Sequence, residues 1–251
     1  MKKLSQGRVE ASWRKKLRAS EKLGFVLLDP DPEKRHLYRE ETLKDIISIS
    51  DTILIGGSLN ITPYDVDEFI DKIRDKGATT IVIFPGGVSN IGRKADAILY
   101  MTLMNSIDPY WIIEAQVLAA PIIKRLGLEA IPTAYLIYGY GAVAGHIGRA
   151  LPIPEQHSYI VGAYAAAAEL LGLKAVYLEA GSGSPKHVAE KAVRIAKSSM
   201  KTPILIVGGG IKEPEQAQKI ANSGADAIVI GTIVEQNPEK ALKILETLKK
   251  K

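Results

Sequence analysis

Pro203–Thr232 reads PILIVGGGIKEPEQAQKIANSGADAIVIGT. An apolar run over Pro203–Val207 ends in Gly208-Gly209-Gly210, and a segment of helical period follows over Glu213–Asn222. Ser223-Gly224 supplies the glycine a helix C-cap wants, and a second apolar run, Ala227–Ile230, ends in Gly231-Thr232. Short continuous apolar runs suit strands buried on both faces, as parallel strands are. Two such strands joined by a helix make one βαβ unit.

The same grammar extends over the chain. Further apolar runs lie at Gly24–Leu28, Thr52–Ile55, Thr80–Phe84, Ala97–Met101, Ala130–Leu136 and Ala175–Leu178. Helical period recurs at Asp65–Lys76 and Val188–Ser198, and helix-ending glycines at Lys76-Gly77 and Leu171-Gly172. Eight strands in 251 residues leave about 31 residues per unit, which predicts a single (β/α)8 TIM barrel domain over 1–251. A doubly wound open sheet is the fold alternative. Between Phe84 and Ala97 the sequence is PGGVSNIGRKAD, too short and glycine-rich for a full helix, so the third helix is expected to be weak or missing. Tyr138–Pro154, rich in Gly and Pro, is expected to be an irregular loop over the barrel mouth.

Composition narrows the chemistry. Hydrophobic residues make up 46% and charged residues 24%, as in soluble globular proteins. The absence of cysteine excludes disulfides, thiolate catalysis and Cys-based metal sites, and four histidines argue against a multi-histidine centre. A net charge of +5 is too small and scattered to indicate nucleic acid, but suits an anionic small substrate. No apolar run approaches the roughly 20 residues that span a bilayer, and the basic N-terminus has no signal-peptide core. A cytoplasmic protein is expected. The basic N-terminal cluster and Lys249–Lys251 read as solvated ends, or, functionally, as a peripheral contact with anionic lipid.

Barrel chemistry belongs at the C-terminal ends of the strands. Tyr177-Leu178-Glu179-Ala180-Gly181-Ser182-Gly183 follows the sixth run, Gly208-Gly209 the seventh and Gly231-Thr232 the eighth. Small residues let backbone N–H groups close round an anion, so three such loops together point to phosphate. Glu179, a carboxylate ending an apolar strand, can accept substrate hydroxyls or take a proton, or form a structural salt bridge. Asp29 and Ser58, after the first two runs, can hold a hard cation such as Mg²⁺ or cap turns. Lys124 can neutralise a second phosphate or lie on the surface. Tyr135, Tyr138, Tyr140 and Tyr164 can line an apolar groove or belong to the core.

YLEAGSGSP (177–185), VGGGI (207–211), GT (231–232), LLDPD (27–31), GGSLNIT (56–62), LMNSIDPYWIIEAQ (103–116) and LEAIPTAYLI (128–137) resemble, in order, the signatures of the geranylgeranylglyceryl phosphate synthase family, its archaeal branch in particular. That resemblance implies a modified (β/α)8 barrel, often without the third helix. It implies transfer of a geranylgeranyl group from its diphosphate to the sn-3 hydroxyl of sn-glycerol 1-phosphate, with Mg²⁺, the first ether-bond step of archaeal membrane lipids. The family's metal pair falls on Asp29 and Ser58. Its glycerol-phosphate segment falls on Tyr177–Gly183, and its phosphate pairs on Gly208-Gly209 and Gly231-Thr232. Glu179 would be the base, Trp111 or Tyr164 would limit chain length, and a homo-oligomer is expected. Where the family commonly has a polar residue early in strand one, PGS after strand three and Glu-Pro after strand five, this chain has Gly24-Phe25-Val26, Pro85-Gly86-Gly87 and Gly139-Tyr140. Outside the resemblance, a phosphate-binding isomerase or lyase, or a non-catalytic lipid or phosphate binder, uses the same loops.

Overall fold

The computed structural model describes residues 7–57 and 61–249. Eight strands close a parallel barrel in sequence order: β1 (Leu23–Leu28), β2 (Thr52–Gly56), β3 (Ile81–Phe84), β4 (Ala97–Leu103), β5 (Glu129–Ile137), β6 (Ala175–Glu179), β7 (Ile204–Gly208) and β8 (Ala227–Ile230). Each expected run falls on one strand. The helices are α1 (Arg8–Arg18), α2 (Glu40–Ile49), α3 (Pro63–Asp75), α4 (Ala115–Leu126), α5 (Ala142–Ile147) and α6 (Tyr159–Leu170). They continue with α7 (Glu190–Ser198), α8 (Pro214–Asn222), α9 (Thr232–Gln236) and α10 (Pro238–Lys249). Among the described residues no helix is long and apolar enough to cross a membrane.

Strand side chains alternate between the two faces, which is why both must be apolar. In β6, Ala175 and Tyr177 pack inside the barrel, whereas Val176 and Leu178 pack outward under the helices. The third helix is missing: only a 3₁₀ turn, Val88–Asn90, lies between β3 and β4. The shortened connection is held to α3 by Asp67, whose Oδ1 accepts the N–H groups of Arg93 (2.7 Å) and Lys94 (3.0 Å). Tyr138–Pro154 is not wholly irregular, since it contains the short helix α5.

Of the basic residues at the ends, Lys16 and Lys249 are not merely solvated, which corrects the sequence expectation there, whereas Lys2, Lys3, Lys250 and Lys251 lie outside the described residues. α1 closes the bottom of the barrel with Trp13, which is 1% exposed. Its indole Nε1 donates to Thr52 Oγ1 at 2.8 Å, and its ring lies 4.8 Å from that of Phe25. Glu129 caps the helix from β5, accepting the N–H groups of Val9 (2.8 Å) and Glu10 (3.0 Å). Lys16 and Lys249 meet on Asp51, each with Nζ 2.5 Å from a carboxylate oxygen whose side chain is 3% exposed. Helices α1 and α10 are therefore both fastened to the start of β2. Trp13→Ala is expected to cost about 3–5 kcal/mol of stability, read as a lowered guanidinium midpoint. An unchanged midpoint would show that α1 does not seal the core.

Candidate active site

A cavity of about 320 Å³ opens at the C-terminal ends of the strands. One end is polar. The β6–α7 loop contributes Ser182 and Gly183, the β7–α8 loop Gly209 and Gly210, and the β8–α9 junction Gly231 and Thr232. These loops meet: the hydroxyls of Ser182 and Thr232 are 3.0 Å apart. Two glycines are required by close approach. A methyl at Gly208 would stand 2.2 Å from the Tyr177 hydroxyl. One at Gly209, where φ is +84°, would stand 2.4 Å from Glu179 Oε1 and 2.6 Å from the Gly181 nitrogen.

Glu179 ends β6 as an inward-facing position, and its Oε1 accepts the Gly181 N–H at 2.6 Å. The Tyr177 and Tyr135 hydroxyls approach the carboxylate as further donors. Burial pushes its pKa up to about 7, more than the Gly181, Tyr177 and Tyr135 hydrogen bonds pull it down. Burial, followed by the charge of Glu179, raises both tyrosines well above their usual range, so they remain donors. Phe84, Tyr135 and Tyr177 form an edge-to-face trio with centroids 5.3–5.7 Å apart, which fixes the ring positions beneath the carboxylate. A carboxyl that titrates near neutrality can take a proton and return it.

Asp29 stands on the cavity wall after β1. Its Oδ1 accepts the Asp31 N–H at 3.1 Å, and its Oδ2 is 2.5 Å from the Lys34 ammonium. The Tyr38 hydroxyl accepts the Asp29 N–H at 2.8 Å and donates to Glu235 on α9 at 3.2 Å. Burial raises the Glu235 carboxyl above its usual range. Among the described residues no three His, Asp or Glu side chains cluster as a protein-only metal cage. A hard cation of the Mg²⁺ type needs only one or two carboxylates when substrate phosphates and waters complete its shell. Asp29, an oxygen donor facing a phosphate-sized space, fits that requirement. Ser58, the other expected ligand, lies outside the described residues.

The opposite arm of the cavity is apolar. Leu99 and Met101 line it from inside the barrel, Ile98 and Tyr100 from the outer side of the same strand, and Trp111 and Ala119 from beyond. A five-residue π turn, Tyr110–Glu114, carries Trp111.

Several expectations on individual side chains change. The Leu178 and Ala180 side chains pack in the outer core, and neither these two residues nor Gly181 and Gly208 line the cavity. Tyr164 packs on that outer core too, Tyr138 bonds Ser158, and Tyr140 is exposed; none of the three lines the cavity. Lys124 is exposed on the last turn of α4 and also lies away from it. Sequence reasoning missed Lys34, Lys212 and Glu235, all on the cavity wall, because no local pattern marks a charged residue beyond a strand end as facing inward. Of the family departures, Pro85-Gly86-Gly87 lines the cavity. Gly24 faces α10 instead, since a methyl there would meet Leu245 at 2.7 Å.

Replacing Tyr177 by Phe removes a donor that favours the charged carboxylate. The Glu179 pKa should then rise further above 7, by about one unit, as read by ¹³C NMR titration of labelled glutamate. A fall would contradict the hydrogen bond.

Comparison with known proteins places this geometry. The PcrB family pattern matches residues 17–249. The geranylgeranylglyceryl phosphate synthase of Hyperthermus butylicus is 53% identical over 242 residues, covering 94% of this chain and 98% of that protein. That of Staphylothermus marinus is 46% identical over 246 residues, covering 97% and 99%. The crystal structure of (S)-3-O-geranylgeranylglyceryl phosphate synthase from Thermoplasma acidophilum, in complex with its substrate sn-glycerol-1-phosphate, superposes with a TM-score of 0.88 at 38% identity. It covers 96% of this chain and 98% of that one.

Proposed function

The chain belongs to the PcrB family, and on that premise we propose that it is a prenyltransferase joining a geranylgeranyl group to the sn-3 hydroxyl of sn-glycerol 1-phosphate. Geranylgeranyl diphosphate is the donor, and geranylgeranylglyceryl phosphate and diphosphate are the products. The observation that carries this reading is one cavity with a phosphate-sized glycine cradle, a carboxylate titrating near 7, and an apolar arm.

Backbone N–H groups of Gly209, Gly231 and Thr232, with the Ser182-Gly183 loop, would clamp the glycerol phosphate, while Gly208, paired with Glu179 in the barrel ladder, would give the loop its start. The 3.0 Å contact between Ser182 and Thr232 keeps the loops close enough to share one phosphate. Glu179, anchored by the Gly181 N–H, would accept hydrogen bonds from the glycerol hydroxyls. As the sn-3 oxygen forms its bond to prenyl C1, the C1–oxygen bond to diphosphate breaks, and Glu179 takes the hydroxyl proton. The apolar arm would receive the hydrocarbon and keep water from the reacting carbon. Asp29, and Ser58 by the family resemblance, would hold Mg²⁺, which when bound neutralises charge growing on the leaving diphosphate.

A lyase working through a Schiff base wants a lysine on a strand end, and the lysines on the cavity wall, Lys34 and Lys212, come from loops. The same proposal includes action in the cytoplasm at the membrane surface, as a homo-oligomer. Apolar side chains exposed on α4 (Val117 at 63%, Leu118 at 55%) support a partner surface there.

Purified protein should convert one glycerol phosphate enantiomer with prenyl diphosphates between C15 and C35 when Mg²⁺ is present. Failure of every combination would end the transferase reading. Glu179→Gln should lower kcat by about 10²–10⁴ while sn-glycerol 1-phosphate still binds. The base acts deprotonated, so kcat/KM should climb through a pKa of about 7 and level off above it. A profile flat from pH 5 to 9 would remove Glu179 from that role.

A further inference from the structure

The polar end of the cavity carries a cation to which the proposed chemistry gives no task. Lys34, in the 3₁₀ turn Pro32–Leu37 after β1, lines the cavity and reaches Asp29 Oδ2 at 2.5 Å. Glu235 lines the same wall from α9, and the Tyr38 hydroxyl ties it to the Asp29 backbone. A diphosphate brought to this wall would meet two carboxylates, so a cation must stand between them and it.

We propose that Lys34 is an exchangeable cation that occupies Asp29 until a divalent ion takes that carboxylate, and then binds the diphosphate. This rests on the transferase reading. The pair can exchange because solvent reaches its lysine: the Lys34 side chain is 46% exposed, on a flexible four-carbon stem. Exposed ion pairs of this kind are weak. Lys16 and Lys249 differ, since they share the buried Asp51 and do not line the cavity. Once released, the Lys34 ammonium has three donors and remains on the wall where the leaving group collects. Lys212, which follows the β7 glycine loop, belongs to the glycerol-phosphate end.

Two affinities should therefore move in opposite directions when the charge is removed. Isothermal titration of the full chain with magnesium chloride alone should show Lys34→Met binding the ion roughly two- to fivefold more tightly, because its competitor is gone. Titration with inorganic diphosphate in saturating Mg²⁺ should show binding weakened roughly tenfold or more, because a charged donor is lost. Lys34→Arg, which keeps the charge, should restore most of the diphosphate affinity, and sn-glycerol 1-phosphate should bind all three proteins alike. Unchanged diphosphate affinity in Lys34→Met overturns the assignment. So does a joint fall in both affinities with a lowered melting temperature, the signature of a purely structural lysine. If the wild-type protein binds sn-glycerol 1-phosphate but no diphosphate under any condition, the transferase reading itself fails.

Discussion

The Glu179 carboxylate sits, 6% exposed, at the end of a strand whose other residues are all buried. An uncompensated charge there would be prohibitive, so the surrounding structure is arranged around partial compensation. One backbone N–H supplies a hydrogen bond, two phenol hydroxyls beside the carboxylate hold its pKa down, and the aromatic trio keeps those phenols in place. The glycines at 208 and 209 follow from the same need, because larger residues would push into Tyr177 or into the carboxylate itself. The loop that holds Glu179 is also the loop that meets Thr232, so proton transfer and phosphate binding share one piece of backbone.

The two ends of the barrel are built by different means. At the bottom, long-range pairs fasten the first and last helices: Trp13 to Thr52, Glu129 to the start of α1, and Lys16 and Lys249 to Asp51. These contacts leave nothing to bind. At the top, the polar end of the cavity is built from loops with small residues.

The barrel was legible in the sequence because doubly buried parallel strands need continuous apolar runs, and each run fell on a strand. The missing third helix was legible for a similarly local reason, since PGGVSNIGRKAD has neither the length nor the period for one. The glycine loops and Glu179 stood out as breaks in those patterns. What escaped was long-range. Trp13 finds Thr52 39 residues on, Tyr38 finds Glu235 197 residues on, and neither partnership leaves a local mark. Tyr164 and Leu178 misled because their neighbours fix the element but not the face turned toward the cavity.

The short connection after β3 has a larger consequence than its twelve residues suggest. In a barrel with all eight helices, the outward positions of β4 would be sealed, and a pocket would have to stop at the inner layer of side chains. Here Ile98 and Tyr100, outward-facing, line the same cavity as Leu99 and Met101, inward-facing, so the space passes round the strand end to both sides of the sheet. A rod-shaped molecule can thread from the centre of the fold to its flank without the barrel widening or gaining a strand. Room for something long and thin comes from leaving a part out, while the hydrogen-bonded wall stays whole.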